Sequence, residues 1–173
     1  YNAVADDWLG ITPGTDGLLI LSLVHVLLQA GKIDLDYLAR YTNAPVLVNG
    51  DPKSPDHGLF LRNDDGKPLV IDRVTGKLTP FDQPGVRPDL AASHRHAGVT
   101  HRPVMHLLAE RYLDPKYAPE AVAVRTGIPA AKIRALAAEI ARTAFDDPVI
   151  LHREWTDFRG ETHKTMVGRP VAF

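Results

Sequence analysis

The sharpest short element in the 173-residue chain is Pro13-Gly14-Thr15-Asp16, directly before a long apolar run. Its chemistry would come from the start of a helix. Backbone amides of a first helical turn have no intrahelical acceptor and can hold an anionic or polar ligand group. The Asp16 carboxylate could accept two hydrogen bonds from a guanine edge, its ring N–H and its exocyclic amine. The plainer reading is an ordinary cap, with a Thr15 or Asp16 side-chain oxygen accepting a first-turn amide hydrogen. A second group is His94, His96, His101 and His106. Closely spaced imidazoles can hold zinc or copper, but no carboxylate or cysteine stands among them at a recognised ligand spacing. The expectation is solvated loop histidines, with no metal ligand assigned. A third group is the polar stretch 152–164, which contains His152, Glu154, Asp157, Glu161 and His163. After an apparent strand it would lie where open α/β sheets hold ligands; on composition it reads as a charged surface loop. Ser22, Ser54 and Ser93 lack the context of a serine nucleophile, and no phosphate loop or dinucleotide glycine fingerprint is present.

The elements that must position these residues can be read from pattern. A helix is predicted from Thr15 or Asp16 to residue 30, stopped by Gly31. Its leucines, valines and Ile20 cover every face, which predicts burial on all sides. That demands more covering protein than a chain of this size offers. The run 17–30 is shorter than the about 20 apolar residues of a membrane span. A short helix capped by Asp34 follows, then a short strand at 46–49. Residues 58–62 and 69–72, around Asn63-Asp64-Asp65-Gly66, carry the best hairpin signal, with Pro68 placing the second strand at an edge. Residues 79–102 read as a long irregular segment. Three helices are predicted next: one from Pro103 to about residue 113, one opened by Ala118-Pro119-Glu120 and stopped by Gly127, and one from Pro129 to about residue 143. Residues 149–151 fit a buried strand, and 152–173 show no period.

The composition bounds the function. Lysine plus arginine number 20 against 21 acidic residues, so a strongly basic nucleic-acid binder is not expected. There is no cysteine, which excludes thiolate metal sites, cysteine-held clusters and thiol catalysis within these residues.

The order of motifs carries a resemblance. Ala5-Asp6-Asp7-Trp8-Leu9-Gly10-Ile11-Thr12-Pro13-Gly14-Thr15-Asp16-Gly17 and the apolar helix with His25 resemble the molybdopterin oxidoreductases of the dimethyl sulfoxide reductase superfamily. The segment 33–42 is similar to the one that follows that helix in the family. So are Tyr117-Ala118-Pro119-Glu120, Thr126-Gly127-Ile128-Pro129 and Ile133 to Ala137. Residues 46–102 are the least distinctive. Trp155 to Glu161 and Gly168-Arg169-Pro170 are similar to the branch containing sulfite dehydrogenase and thiosulfate or polysulfide reductase catalytic subunits.

The resemblance implies a parent enzyme with molybdenum or tungsten held by two molybdopterin guanine dinucleotides, usually with an iron–sulfur cluster. It would perform two-electron or oxygen-atom-transfer chemistry, with a sulfur compound as the substrate that the branch implies. Pro13, Gly14, Thr15 and Asp16 would lie against one guanosine end. The family's cluster cysteines and metal ligand lie upstream of the matched region, and a second pterin loop lies beyond it. Residues 1–173 are therefore expected to be an internal, partial domain of a larger catalytic polypeptide, inactive alone. The hairpin and loop excursion is expected at 45–102, helices and a strand at 103–151, and a polar tail at 152–173. The fold expected is α/β, the helix-rich part of a Rossmann-like molybdopterin-binding domain. The implied partners are the rest of the catalytic polypeptide, electron-transfer iron–sulfur subunits and membrane-anchor subunits, without nucleic acid or direct membrane insertion. The alternatives are a stand-alone non-catalytic binding domain of related ancestry and, more distantly, a metal-dependent hydrolase built on the histidine-rich loop.

Overall fold

The computed structural model describes residues 7–171. Ala5 and Asp6, which entered the resemblance above, lie outside the described residues. The chain divides into two compact units. Among the described residues, one comprises 7–32 and 113–171, the other 33–112. The excursion expected at 45–102 falls inside the second unit.

The first unit is built on three helices: α1 (Asp16–Gln29), α4 (Pro119–Thr126) and α5 (Ala130–Ala141). Its core is Leu23, Val122, Ile128, Ile133 and Ala137, against which Leu9, Ile11, Leu18, Leu19 and Leu136 pack. The helix ends follow from local chemistry. At the end of α1, Gly31 adopts φ +64. Its N–H then donates to the Leu28 carbonyl at 3.1 Å, and that of Lys32 to the Leu27 carbonyl at 3.0 Å. This paired closure of free carbonyls needs a left-handed residue that glycine adopts without steric cost. Pro119 sits in the first turn of α4, where its missing N–H is not needed, and Pro129 immediately precedes α5. Helix α5 continues into a π-helical turn, Arg142–Asp146, with an Arg142–Asp147 ion pair across it.

Three expectations change here. Helix α1 buries one side only: Ser22, Leu23 and His25 are buried, whereas Ile20 is 44% exposed. An apolar circumference therefore does not enforce burial on all sides within the described residues. The strand β6 (Val149–Leu151) exists but is exposed throughout. It pairs antiparallel with β9 (Met166–Gly168), Ile150 opposite Val167. The stretch 152–164 is also more ordered than its pattern suggests, since β7 (Trp155–Thr156) and β8 (Thr162–His163) pair across it. Two-residue strands are too short to give a readable alternation.

The second unit holds α2 (Leu35–Tyr41), α3 (Val104–Tyr112) and a three-stranded antiparallel sheet. The sheet order is β1 (Leu47–Asn49), β5 (Val99–Pro103), β4 (His94–His96). Asp34 caps α2 as expected, accepting from the Tyr37 N–H at 2.9 Å. Leu47, Val48, Val70 and Ile71 are buried. The hairpin expected over 58–72 is reduced to a single Arg62–Pro68 bridge. The regular ladder instead joins β2 (Leu69–Ile71) to β3 (Leu78–Pro80) across the next turn. Asp72 organises that turn, accepting from the Thr75 hydroxyl at 2.8 Å and from the Val74 N–H at 3.3 Å.

The segment read as irregular, 79–102, contains the β4–β5 hairpin. Its turn uses Ala97 at φ 48 and Gly98 at φ 82, the double positive φ of a tight two-residue hairpin. Such turns usually announce themselves with asparagine or aspartate before glycine, and alanine concealed this one. Every strand ladder among the described residues is antiparallel. No helix of the described residues is long and apolar enough to cross a membrane.

Candidate functional site

The Pro13-Gly14-Thr15-Asp16 element forms an exposed turn that leads directly into α1. Gly14 has φ +79, and a Cβ built on it would meet nothing within 4 Å, so the space beside the turn is open. Two bonds hold the turn from below. The Thr12 N–H donates to the Thr126 carbonyl at 2.9 Å, and the Thr15 N–H donates to the Thr12 carbonyl at 3.2 Å.

Thr15 does not cap the helix as expected. Its hydroxyl donates to the Thr12 carbonyl at 2.6 Å, and no side chain satisfies the α1 N-terminus. A hydroxyl committed to the preceding carbonyl is turned away from the helix amides. The result is an uncapped, positively polarised helix end with the exposed Asp16 carboxylate in its first turn. Amide donors and a carboxylate acceptor side by side can receive a polar heterocycle edge that presents both acceptor and donor groups. No other part of a ligand site is completed by the residues of this turn.

The four histidines are partly brought together. His94 lies directly opposite His101, and His96 opposite Val99. His101 is buried at 4% exposure, against the expectation of a solvated residue. Burial pushes its imidazole below the usual value; the Val99 backbone opposes this, and the adjacent His96 and His94 reinforce it. His106 stands apart, with Nδ1 at 2.9 Å from the Ala91 carbonyl.

In the tail, the pattern understated Asp157. It is buried, and its Oδ1 accepts from the N–H groups of Arg159 and Glu161 at 3.0 and 2.9 Å. Its Oδ2 lies 3.1 Å from His163 Nε2, and the His163 ring stacks on Trp155 at 4.7 Å. Potential ligand atoms of Asp157, Glu161 and His163 lie within 4.8 Å of one another. The Asp157 oxygens are engaged by their own loop, so the cluster acts to close the β7–β8 connection. An aspartate followed by glycine three residues later was the available sequence signal for that turn.

Comparison with known proteins decides the family. No family model matches the chain. Over 183 aligned residues, covering all of this chain and 19% of the relative, it is 40% identical to a subunit of the sulfite dehydrogenase of Allochromatium vinosum. It is 33% identical over 91 residues to the nitrate reductase alpha chain of Bacillus subtilis, covering 43% of this chain and 7% of the relative. It is 28% identical over 178 residues to the perchlorate reductase alpha chain of Dechloromonas aromatica, covering 79% and 19%. The chain belongs to the molybdopterin oxidoreductases. It spans at most about a fifth of the length of these relatives. The relatives are named as subunits of a dehydrogenase and of reductases, so this molybdopterin oxidoreductase chain is matched to part of such a polypeptide. The turn before α1 has open space beside Gly14 and no side-chain cap on the helix N-terminus that follows it.

Proposed function

We propose that residues 13–16 contribute one guanosine-binding edge for a molybdopterin guanine dinucleotide in a molybdenum or tungsten oxidoreductase. The observation that carries this reading is the uncapped N-terminus of α1, open to solvent beside Gly14, in a chain of this family. Pro13 and Gly14 shape the turn, and Gly14 leaves room beside it for a ring. Thr15 holds the turn closed on Thr12. The first-turn amides donate to a carbonyl or phosphate oxygen, and Asp16 accepts from ring N–H and amino groups. The bound cofactor would supply two-electron or oxygen-atom-transfer chemistry, which none of these four residues performs. A Rossmann-like setting for this segment is part of the same reading, completed by polypeptide other than these residues.

The relative that matches the whole chain belongs to a sulfite dehydrogenase, which supports a sulfur oxyanion as substrate class for the parent enzyme. The same kinship supports further catalytic polypeptide, electron-transfer iron–sulfur subunits and membrane-anchor subunits as partners. Any iron–sulfur cluster would be held elsewhere, since these 173 residues contain no cysteine.

The test is Asp16→Ala in the intact enzyme, with guanine nucleotide released by acid hydrolysis and counted per polypeptide. A fall in guanine content at unchanged protein folding is expected. Full guanine content in the variant would return Asp16 to the surface of an ordinary helix end. The coding sequence on either side provides an independent check, because the reading requires an open frame continuing well beyond both ends.

A further inference from the structure

We propose that Asp157, Glu161 and His163 form a binding site for a divalent first-row transition-metal ion, with zinc as the expected occupant. One donor atom from each of the three lies within 4.8 Å of the other two. Among the described residues, no other group of three histidine or carboxylate side chains converges in this way. Asp157 Oδ2 and His163 Nε2 stand 3.1 Å apart. Ligands of a tetrahedral zinc ion, each about 2.0–2.2 Å from the metal, stand roughly 3.3–3.6 Å from one another. The Asp157–His163 pair therefore needs to open only slightly. The remaining closure falls to Glu161, whose exposed side chain can turn towards the pair.

Two of the three ligands are oriented in advance. The Asp157 side chain is 1% exposed. Its Oδ1 is fixed by the N–H groups of Arg159 and Glu161, which leaves Oδ2 turned to His163. The His163 ring lies on Trp155 at 4.7 Å with 24° between the planes. The indole is itself held, donating from Nε1 to the Thr165 carbonyl at 3.0 Å. Metal sites depend on such outer partners to aim their ligands. The charge also suits a cation. Two carboxylates gathered round one imidazole carry more negative charge than a protonated ring balances, and a buried carboxylate is costly without compensation. On binding, the metal replaces the hydrogen between Oδ2 and Nε2. A neutral ring then carries its hydrogen on Nδ1, and a protonated ring releases one proton. The imidazole favours zinc, manganese or iron(II) over magnesium and calcium, which take oxygen. Three protein ligands leave a fourth position open. None of this depends on the guanosine edge proposed above.

The experiment uses the intact enzyme, treated with a mild chelator, dialysed and titrated with zinc chloride against a chromophoric competitor at about pH 7.5, where carboxylates are ionised as metal binding requires. One zinc per polypeptide is expected that Glu161→Gln and His163→Gln each weaken at least about tenfold. His152→Gln, an exposed histidine of the same tail, should leave it unchanged. Copper(II) in place of zinc should quench the fluorescence of Trp155 through the stacked ring, and much less so in Glu161→Gln. If His163→Gln fails to fold, Glu161→Gln, at an exposed position, decides alone. Zinc binding that persists undiminished in folded Glu161→Gln overturns the site. So does the absence of stoichiometric zinc in folded wild-type enzyme, which would leave the three residues as a closure of the β7–β8 turn.

Discussion

The Thr12 N–H and the Thr126 carbonyl meet at 2.9 Å, joining two segments far apart in the chain. Through this bond the turn at 13–16 is anchored to the last residue of α4, whose own placement is set by the core. Thr126 is fully buried, and its hydroxyl donates to the Val122 carbonyl at 3.0 Å. The geometry of the proposed guanosine edge thus depends on how α4 ends.

That dependence makes Gly127 a sensitive position. It ends α4 at φ +77, and a Cβ there would stand 3.6 Å from the Thr12 Oγ1. The contact is ordinary, so the penalty of Gly127→Ala is conformational. We expect a loss of about 1–2 kcal/mol, read as a lower urea midpoint with an unchanged slope. Gly127→Asn should lose less, because asparagine tolerates the left-handed region. Equal losses for both would place the cost in packing against Thr12.

The β4–β5 turn offers the opposite change. Ala97 occupies φ 48, a region that disfavours alanine, beside Gly98 at φ 82. Ala97→Asn supplies the pair that this turn type prefers. A gain of about 0.5–1 kcal/mol is expected, seen as a higher urea midpoint. A lower midpoint would mean that the methyl group of Ala97 has a packing role.

Asp72 carries a pH dependence. The Thr75 hydroxyl, followed by the backbone N–H groups of Val74 and Arg87, holds its carboxyl below the ordinary 3.8. The folded state therefore favours the charged form. Its contribution is fully present above the unfolded value of 3.8 and is lost as pH falls through the lower folded value. Thr75→Val should move the Asp72 carboxyl back towards its ordinary value, measured by carbon-13 NMR titration of the side chain. An unmoved titration would show that the backbone donors suffice.

The division between sequence and structure follows the range of the forces involved. Helices α1, α4 and α5 were readable because their caps and stops are local: Gly31 and Gly127 take left-handed conformations, and Pro119 fits a first turn. Asp34 was legible for the same reason. Motif order alone also carried the family, since 13–17 and 117–137 keep their residue types and spacing. Three facts required tertiary structure. The Thr15 hydroxyl turned to Thr12 because the turn is closed on Thr126, a partner no local pattern reveals. His101 is buried on one face of the central strand β5 while Thr100, on the other face, is exposed, and which face is covered is a tertiary fact. Val149 to Leu151 formed an exposed antiparallel ribbon because Met166 to Gly168 returned to pair with it. Backbone conformation at a cap or stop is decided within a few residues. Burial and strand pairing are decided by segments far away in the chain, and a one-dimensional pattern does not contain that distance.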